Sequence, residues 1–442
     1  MSGPSLGART LDLPFDKRLP ALAVLLDPAS IALALRPGLA RAGLELLDYA
    51  IVHTRYKPGG SCSTLYRGTV RNAAGERTSR LLYGKCYTDE GFASARTKIA
   101  SVDSVDGLPS YVELERERIV VRPFPIDAEL SGLHLVRSAK RMQRILYRVL
   151  DYPEQDWRLS DRRLQSVVLR YKPEYRAVVR FATRAVHRAT HEKKEAAVVV
   201  RFQADGRGAS LFRTYQEVAR AADDAIVPAP FGYEAEHGAL FTECIEGNPL
   251  TEALVAGDIA TARQAVGLLA RFHGLTGIQS IETSRVTALD DAQSQAESIA
   301  ESIPGLRASV AGVLGRLYSF GSQLTFEDDG LVHGDMHDGQ ILVTGQGCRV
   351  LDLERVHRGD PLEDVGSLCA HIRLLIPHAD GVRDAMLREY EQRCGRVLDR
   401  ERVRYWMMRR MLALATRPYR SLAPGWRDET RRLIVECERI AA

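Results

Sequence analysis

At 442 residues, with 45% hydrophobic content and a formal charge of +4 from 61 basic and 57 acidic side chains, the chain reads as soluble globular material. So near a balance of charge leaves no electrostatic footprint for nucleic acid. Seven cysteines, an odd number without a C-x-x-C pair, offer neither a disulfide framework nor a cysteine zinc site, so reduced thiols and a cytoplasmic protein are expected.

Residues 1–45 read as a helical lead. Its apolar runs "LPALAVLL" and "IALAL" are cut by Asp27 and Pro28, fall short of a bilayer span and lack the basic start of a secretory signal. No membrane segment is expected. An internal echo follows, in residues 46–150 and 151–247. "HTRYKPGGSCSTLYRGTV" from His53 and "LRYKPEYRAVVRFATR" from Leu169 share Arg-Tyr-Lys-Pro, and each continues as the alternating second strand of a hairpin. About thirty residues after the shared motif, an apolar third strand carries Lys85 in the first copy and Arg201 in the second, and a helical segment follows each. The agreement of order, spacing and basic position points to duplication.

Residues 248–442 turn helical. In "DIATARQAVGLLARFHGL", Ile259, Ala262, Val266, Leu269, Ala270 and His273 recur at helical steps, which predicts one buried face with His273 as a satisfied core histidine. Two helices split near Pro304 are expected over 290–320, and Gly395 is expected to stop a helix after "YEQRC".

Within this half lie "LVHGDMHDGQILV", residues 331–343, and "CRVLDLERVHRGDPLEDVG", residues 348–366. A short strand, "GLVH", delivers Asp335 into a loop, Gln340 comes five residues later, and a second strand, "CRVLDL", delivers Asp352. Two carboxylates and an amide oxygen supply hard ligands for Mg2+ and a separate base for a hydroxyl proton. Zinc is less apt, because His333 and His337 come without an H-E-x-x-H helix or a cysteine.

"HGDMHDGQILV", then "VLDLE", then "GDPLEDVG" resembles the aminoglycoside phosphotransferase and choline kinase group of small-molecule kinases, over residues 165 to 440 or so. The resemblance implies an α+β, protein-kinase-like bilobal fold, with an antiparallel-sheet N-lobe and a helical C-lobe. It makes 151–247 the N-lobe and hinge, 248–442 the catalytic C-lobe, and 46–150 an additional N-lobe-like domain. That extra domain would be a cap or substrate-side wall, similar to the caps of maltokinase-like enzymes; the alternative is a swap in which it covers the nucleotide.

Residue by residue, the resemblance implies Asp335 as catalytic base, Gln340 as a metal ligand where the family has asparagine, and Asp352 as the principal metal ligand. His333 and Asp364 become structural braces, and His337 shapes the loop. Arg201 stands at the strand position where kinases keep lysine, with Glu217, sixteen positions on, as its ion-pair partner. The turn "KPEYR" has no glycine, so Lys172 and Arg176 either grip phosphate by charge or are solvated turn residues. Glu243 and Ile245 in "GALFTECIEGNPL" would offer backbone groups to adenine.

The implied donor is ATP, with GTP as an alternative, and the implied metal is Mg2+. The acceptor would be a small-molecule hydroxyl, on a sugar, amino sugar, amino alcohol or natural-product intermediate, and no nucleic-acid or membrane partner is expected. Its pocket is expected between helices from 285 to 320 and the C-terminal segment. Gln340, Arg201 and the missing glycines motivate an alternative, a pseudokinase that binds nucleotide without turnover. In residues 401–432, nine arginines face three acidic residues. They are either a solvated surface or, through Arg409, Arg410, Arg417 and Arg420, a site for an anionic acceptor.

Overall fold

The structure, a computed structural model, describes residues 12–441 apart from 42, 100–109, 205, 223–224, 282–287 and 379. The fold is α+β. Two compact units interleave along the chain: Met1–Arg137, Tyr171–Arg176 and Arg417–Thr430 form the first, and Ser138–Arg170, Ala177–Thr416 and Arg431–Ala442 the second.

In the first unit, helices α1 (Leu22–Leu26) and α2 (Pro28–Arg41) precede strands β1 (Leu44–Lys57), β2 (Ser61–Asn72) and β3 (Arg77–Tyr87). Helix α3 (Asp89–Ile99) and strands β4 (Val112–Leu114) and β5 (Ile119–Pro123) complete it, in an antiparallel sheet ordered β1-β2-β3-β5-β4. All five residues of β5 are buried. A strand covered on both faces buries every side chain, here Ile119, Val120, Val121 and Pro123 together with Arg122, whose guanidinium donates to the Tyr83 hydroxyl at 3.1 Å, and Leu35 and Leu39 of α2 meet Val121 and Pro123 around a small apolar cavity.

Lys85 of β3 is spent inside this unit. It forms an ion pair with Glu174, at the tip of the turn Tyr171–Arg176, and the Tyr83 hydroxyl donates to the same carboxylate. The backbone N–H of Glu174 donates to Asp127 at 2.9 Å, as does the Tyr171 hydroxyl at 2.7 Å. Glu174 adopts φ +59°, a left-handed conformation that costs a side chain about 1–2 kcal/mol and is held by these contacts. Burial alone would raise the Glu174 carboxyl, but Lys85, Tyr83 and Arg122 hold it below the usual glutamate value.

The Lys85→Met variant therefore leaves a buried carboxylate without its cation and is expected to destabilise this unit by about 3 kcal/mol. Hydrogen exchange of the β3 amides reads the effect, and adding Glu174→Gln should restore most of it; a single variant as protected as the parent would show that the pair is not structural. Because the folded carboxyl lies below its unfolded value of about 4.3, the pair contributes fully above that pH and fades as pH falls through the lowered folded value.

The second unit repeats the same path. After α4 (Ala139–Val149) and β6 (Trp157–Leu159) come β7 (Gln165–Lys172), β8 (Arg176–His187), β9 (Lys193–Gln203), α5 (Gly208–Ala221), β10 (Pro230–Glu234) and β11 (Ala239–Glu243). The sheet runs β10-β11-β9-β8-β6, with β7 also on β8. Three strands, a helix and a hairpin thus recur, and in both copies the last strand inserts beside the third. The registers agree: Lys85 lies opposite Val120, and Arg201 opposite Leu240.

Beyond β11 come β12 (Asn248–Pro249) and helices α6 (Leu250–Val255), α7 (Ile259–His273), α8 (Ala288–Ser302) and α9 (Arg307–Gly321). Asp258 caps α7 by accepting the Thr261 N–H at 3.0 Å. Ala262, Val266, Leu269 and Phe272 of α7 enter the core, but Ile259, expected on that face, is exposed because it opens the first turn before the helix meets its neighbours. Two small antiparallel sheets follow, β12-β14-β15 and β13-β16, built from β13 (Gly330–Val332), β14 (Ile341–Thr344), β15 (Gly347–Val350) and β16 (His357–Gly359). Helices α10 (Leu362–Leu375), α11 (Asp380–Cys394) and α12 (Arg400–Ala415) close the core. Gly395 follows α11 at φ +65°. Helix α13 (Arg417–Ser421) returns to the first unit, and α14 (Trp426–Ala441) ends the chain's described part.

Helices α10 and α12 come together at a glycine. A Cβ on Gly366 of α10 would lie 2.6 Å from the Trp406 side chain and 2.7 Å from the Met407 backbone of α12, so only a residue without a side chain permits the contact. No helix among the described residues is long and apolar enough to cross a membrane, and the seven cysteines are free.

Candidate active site

The loop between β13 and β14 is held from three sides. Asp364, fully buried on α10, accepts the backbone N–H groups of His333 at 2.6 Å and Gly334 at 3.0 Å, and its Oδ2 lies 3.0 Å from His273 Nε2. His273 Nδ1 takes the Tyr390 hydroxyl at 2.6 Å, so this histidine is satisfied and tightens the brace. Burial would raise the Asp364 carboxyl, but His273, His333 and the backbone donors hold it below its usual value. Ser367, one turn along, donates to the Met336 carbonyl at 2.6 Å. Gly334 adopts φ +77°, where a Cβ would meet the Arg355 carbonyl at 2.5 Å.

His333 joins this loop to the strand that carries Asp352. Its Nε2 donates to the Leu351 carbonyl at 2.7 Å, which leaves Nδ1 to accept the Asp335 backbone N–H at 3.3 Å. A second tie runs through Gln340: its carbonyl accepts the Leu351 N–H at 2.8 Å, and its carboxamide reaches Asp352 Oδ2 at 3.5 Å. Asp352 itself sits at φ +61°, a strained position of the kind that collects at functional sites. Asp335, Gln340 and Asp352 are thus carried by one hydrogen-bonded unit. Their donor set, carboxylate and carboxamide oxygen, suits a hard divalent cation at Asp352 and Gln340.

Arg201 reaches the same place from β9. Nη1 meets Asp352 Oδ1 at 2.6 Å and Nη2 pairs with Glu354, the side chain being 10% exposed. Burial would lower the guanidinium, but the two carboxylates hold it above its ordinary value. Glu217 does not meet Arg201. Its carboxylate accepts the backbone N–H groups of Gln279 and Ser280, each at 2.8 Å. The α5 residue turned towards Arg201 is Tyr215, whose hydroxyl is pushed up to about 12 by burial and by the charge of Asp352. Two residues further, Glu217 lies about 200° round the helix, which is why the spacing that matched in sequence fails in space.

At the end of β11, the Glu243 N–H is taken by the Ala229 carbonyl at 2.8 Å, and its carboxylate accepts the Ala229 N–H at 3.2 Å. The N–H of Glu243 is therefore not open to adenine. Ile245, two residues on, makes no backbone hydrogen bond to any described residue and keeps both groups available. Lys172 and Arg176 flank the Glu174 turn and belong to the first unit, so the structure does not group them with the residues above. Arg176 is buried.

The arginine-rich segment splits. Arg417 and Arg420 are exposed on α13, in the first unit. Arg409 is buried and pairs with Asp291 at 3.2 Å and Gln295 at 3.0 Å. Arg410 alone reaches the loop, donating from Nη2 to Asp335 Oδ1 at 2.6 Å. His371 of α10 lies 3.3 Å from Arg410 Nε and stacks on His337, ring centroids 4.9 Å apart. Burial would raise the Asp335 carboxyl, but Arg410, with Arg355 and His337, holds it below the usual aspartate value. Sequence alone did not single out His371 or Glu354; the only local signal was Glu354 in "VLDLE". Of the walls expected for an acceptor pocket, residues 285–287 lie outside the described residues.

No curated protein matches the chain. A family model described as "Phosphotransferase enzyme family" matches residues 151–406. Among solved structures, choline kinase from Cryptosporidium parvum Iowa II aligns with a TM-score of 0.50 at 10% identity, over 68% of this chain and 94% of that one. A thermostable mutant of aminoglycoside phosphotransferase APH(4)-Ia, in ternary complex with AMP-PNP and hygromycin B, aligns at 0.45 and 18% identity, over 68% and 98%. Choline kinase LicA from Streptococcus pneumoniae aligns at 0.45 and 14%, over 68% and 99%. The fold is protein-kinase-like, with an additional N-lobe-like sheet domain.

Proposed function

Because the chain belongs to the phosphotransferase enzyme family, whose model its residues 151–406 match, we propose that it transfers the γ-phosphoryl group of ATP to a hydroxyl of a small molecule. The observation that carries this reading is the single braced unit on which His333 ties the Asp335 loop to the Asp352 strand. Phosphoryl transfer asks little covalent chemistry of a protein and much positioning, and a loop held by Asp364, Ser367 and His333 provides it.

In the step proposed, the acceptor hydroxyl oxygen forms a bond to the γ-phosphorus while the bond from that phosphorus to the β,γ-bridging oxygen breaks. ADP leaves with the electron pair, and Asp335 takes the hydroxyl proton. Asp352 and Gln340 would hold Mg2+, which supplies charge neutralisation for the phosphate oxygens when bound. Arg201, its guanidinium fixed by Asp352 and Glu354, would add its charge to that of the cation on the phosphate oxygens. The open backbone groups of Ile245 support an adenine edge there.

The test is thermal shift with AMP-PNP, with and without Mg2+, followed by product formation from ATP over a panel of hydroxyl acceptors, with GTP run beside it. A metal-dependent shift with phosphorylated product supports transfer. A shift without product from any acceptor, and without slow ATP hydrolysis, favours nucleotide binding without turnover. Gln340→Asn restores the shorter family ligand at a backbone shaped around glutamine, so turnover should change by no more than about tenfold either way, or about 1.4 kcal/mol. Complete loss in steady-state assays would mean that the loop's geometry depends on the longer side chain.

A further inference from the structure

Arg410 has no task in the reaction as described, yet it holds the proposed base. The contact of α10 with α12 at Gly366 brings Arg410 beside His371, and the guanidinium lies on Asp335 with its side chain only 13% exposed. Nε and Nη2 face His371 Nε2 at 3.3 and 3.2 Å, and Nη2 also donates to Asp335. Nη1 has no hydrogen-bond partner among the described residues. Two of the fork's N–H donors are therefore available to a bound molecule.

Most of the charges around this fork are already matched by one another. Arg355 and His337 act on Asp335 from the loop side. Among the nearby acids, Asp291 is matched by Arg409 at 3.2 Å and Glu363 faces His357 at 3.4 Å. Asp338 takes the Thr251 hydroxyl and lies 3.8 Å from His371 Nδ1. A cationic acceptor brought to Asp335 would lie beside the Arg410 guanidinium, 2.6 Å from that carboxylate, a largely desolvated like charge whose repulsion costs more here than in water.

Resting on the phosphotransferase reading above, we propose that Arg410 selects an acceptor that carries its own carboxylate or phosphate within a few bonds of the hydroxyl to be phosphorylated. The hydroxyl donates to Asp335 while the anion accepts from Nη1 of Arg410. Sharing the guanidinium between two anions loosens its hold on Asp335, so the carboxylate gains basicity as the right acceptor arrives. An amine or amide of the same shape brings no such release.

The experiment uses the full chain in two arms. Calorimetry with AMP-PNP and Mg2+ examines the phosphotransferase reading by itself. The second arm measures binding in the presence of ADP and Mg2+, and transfer from ATP, for glycerate, glycerol 3-phosphate, glyceramide and 3-aminopropane-1,2-diol, at low and moderate salt. At least one of the two acids should bind about tenfold or more tightly than the amide, with the amine weakest, and the preference should shrink as salt rises. Arg410→Met should erase the preference, and Arg410→Lys, which keeps the charge without the fork, should keep part of it. Should Arg410→Met fail to fold, the lysine variant and the salt series still decide.

Equal binding of acid and amide, preference for the amine, no measurable binding of either acid, or a preference unchanged in Arg410→Met overturns the inference and leaves the phosphotransferase reading standing if AMP-PNP binds. No metal-dependent AMP-PNP binding overturns both. Phosphate and carboxylate are separated by which acid shows the preference.

Discussion

Asp335→Ala should lower turnover by about a hundredfold or more while the affinity for AMP-PNP stays within about twofold of the parent. The side chain acts on the acceptor's proton, and the loop that carries it is held by backbone contacts to Asp364 and Ser367 that the substitution leaves intact. Asp335→Asn is the companion variant, because it keeps a hydrogen-bonding group against Arg410 and removes only the basicity. Single-turnover rates separate this chemical effect from binding. Parental rates in both variants would remove Asp335 from its role.

Asp352→Asn should abolish the Mg2+-dependent part of nucleotide binding. Asparagine is the better probe than alanine here, because residue 352 occupies the left-handed region at φ +61°, which asparagine tolerates with little strain. The charge is what changes: Arg201 retains Glu354 but loses the ion pair with Asp352, and the hard anionic ligand is gone. Calorimetry with AMP-PNP in Mg2+ and in EDTA reads the difference. If the variant keeps the full metal-dependent enthalpy, Asp352 is not the metal's ligand, and the cation must be sought elsewhere.

The parts of this molecule that sequence makes legible are those written in short spans. Strand alternation and the shared Arg-Tyr-Lys-Pro exposed an internal echo, and the same strand order and the register of Lys85 and Arg201 recur in the structure. The loop and strand that hold Asp335 and Asp352 lie within about thirty residues of one another and follow one signature. What failed depends on direction in space. Glu217 has the expected spacing from Arg201 but the wrong side of α5, and a spacing says nothing about helix rotation unless the whole buried face is used; Leu211, Tyr215 and Val218 define that face and leave Glu217 off it. The arginine cluster shows the same limit. Arg409 and Arg410 are adjacent in sequence, yet one is matched by Asp291 and the other by Asp335, partners 118 and 75 positions away. No local pattern distinguishes them.

The turn Tyr171–Arg176 makes two similar stretches of chain depend on each other. A domain ordinarily closes its own core and can fold alone, within one stretch of chain. Here the tip of the first hairpin of the later segment is folded into the unit built by the earlier one, where Glu174 meets Lys85 of β3 and Asp127 collects the turn's N–H. A cut of the chain between the two segments would separate this turn from the unit to which it belongs. The linear boundary between the two similar segments is therefore not a boundary of folding: the hairpin tip of the later one is part of the unit that the earlier one builds.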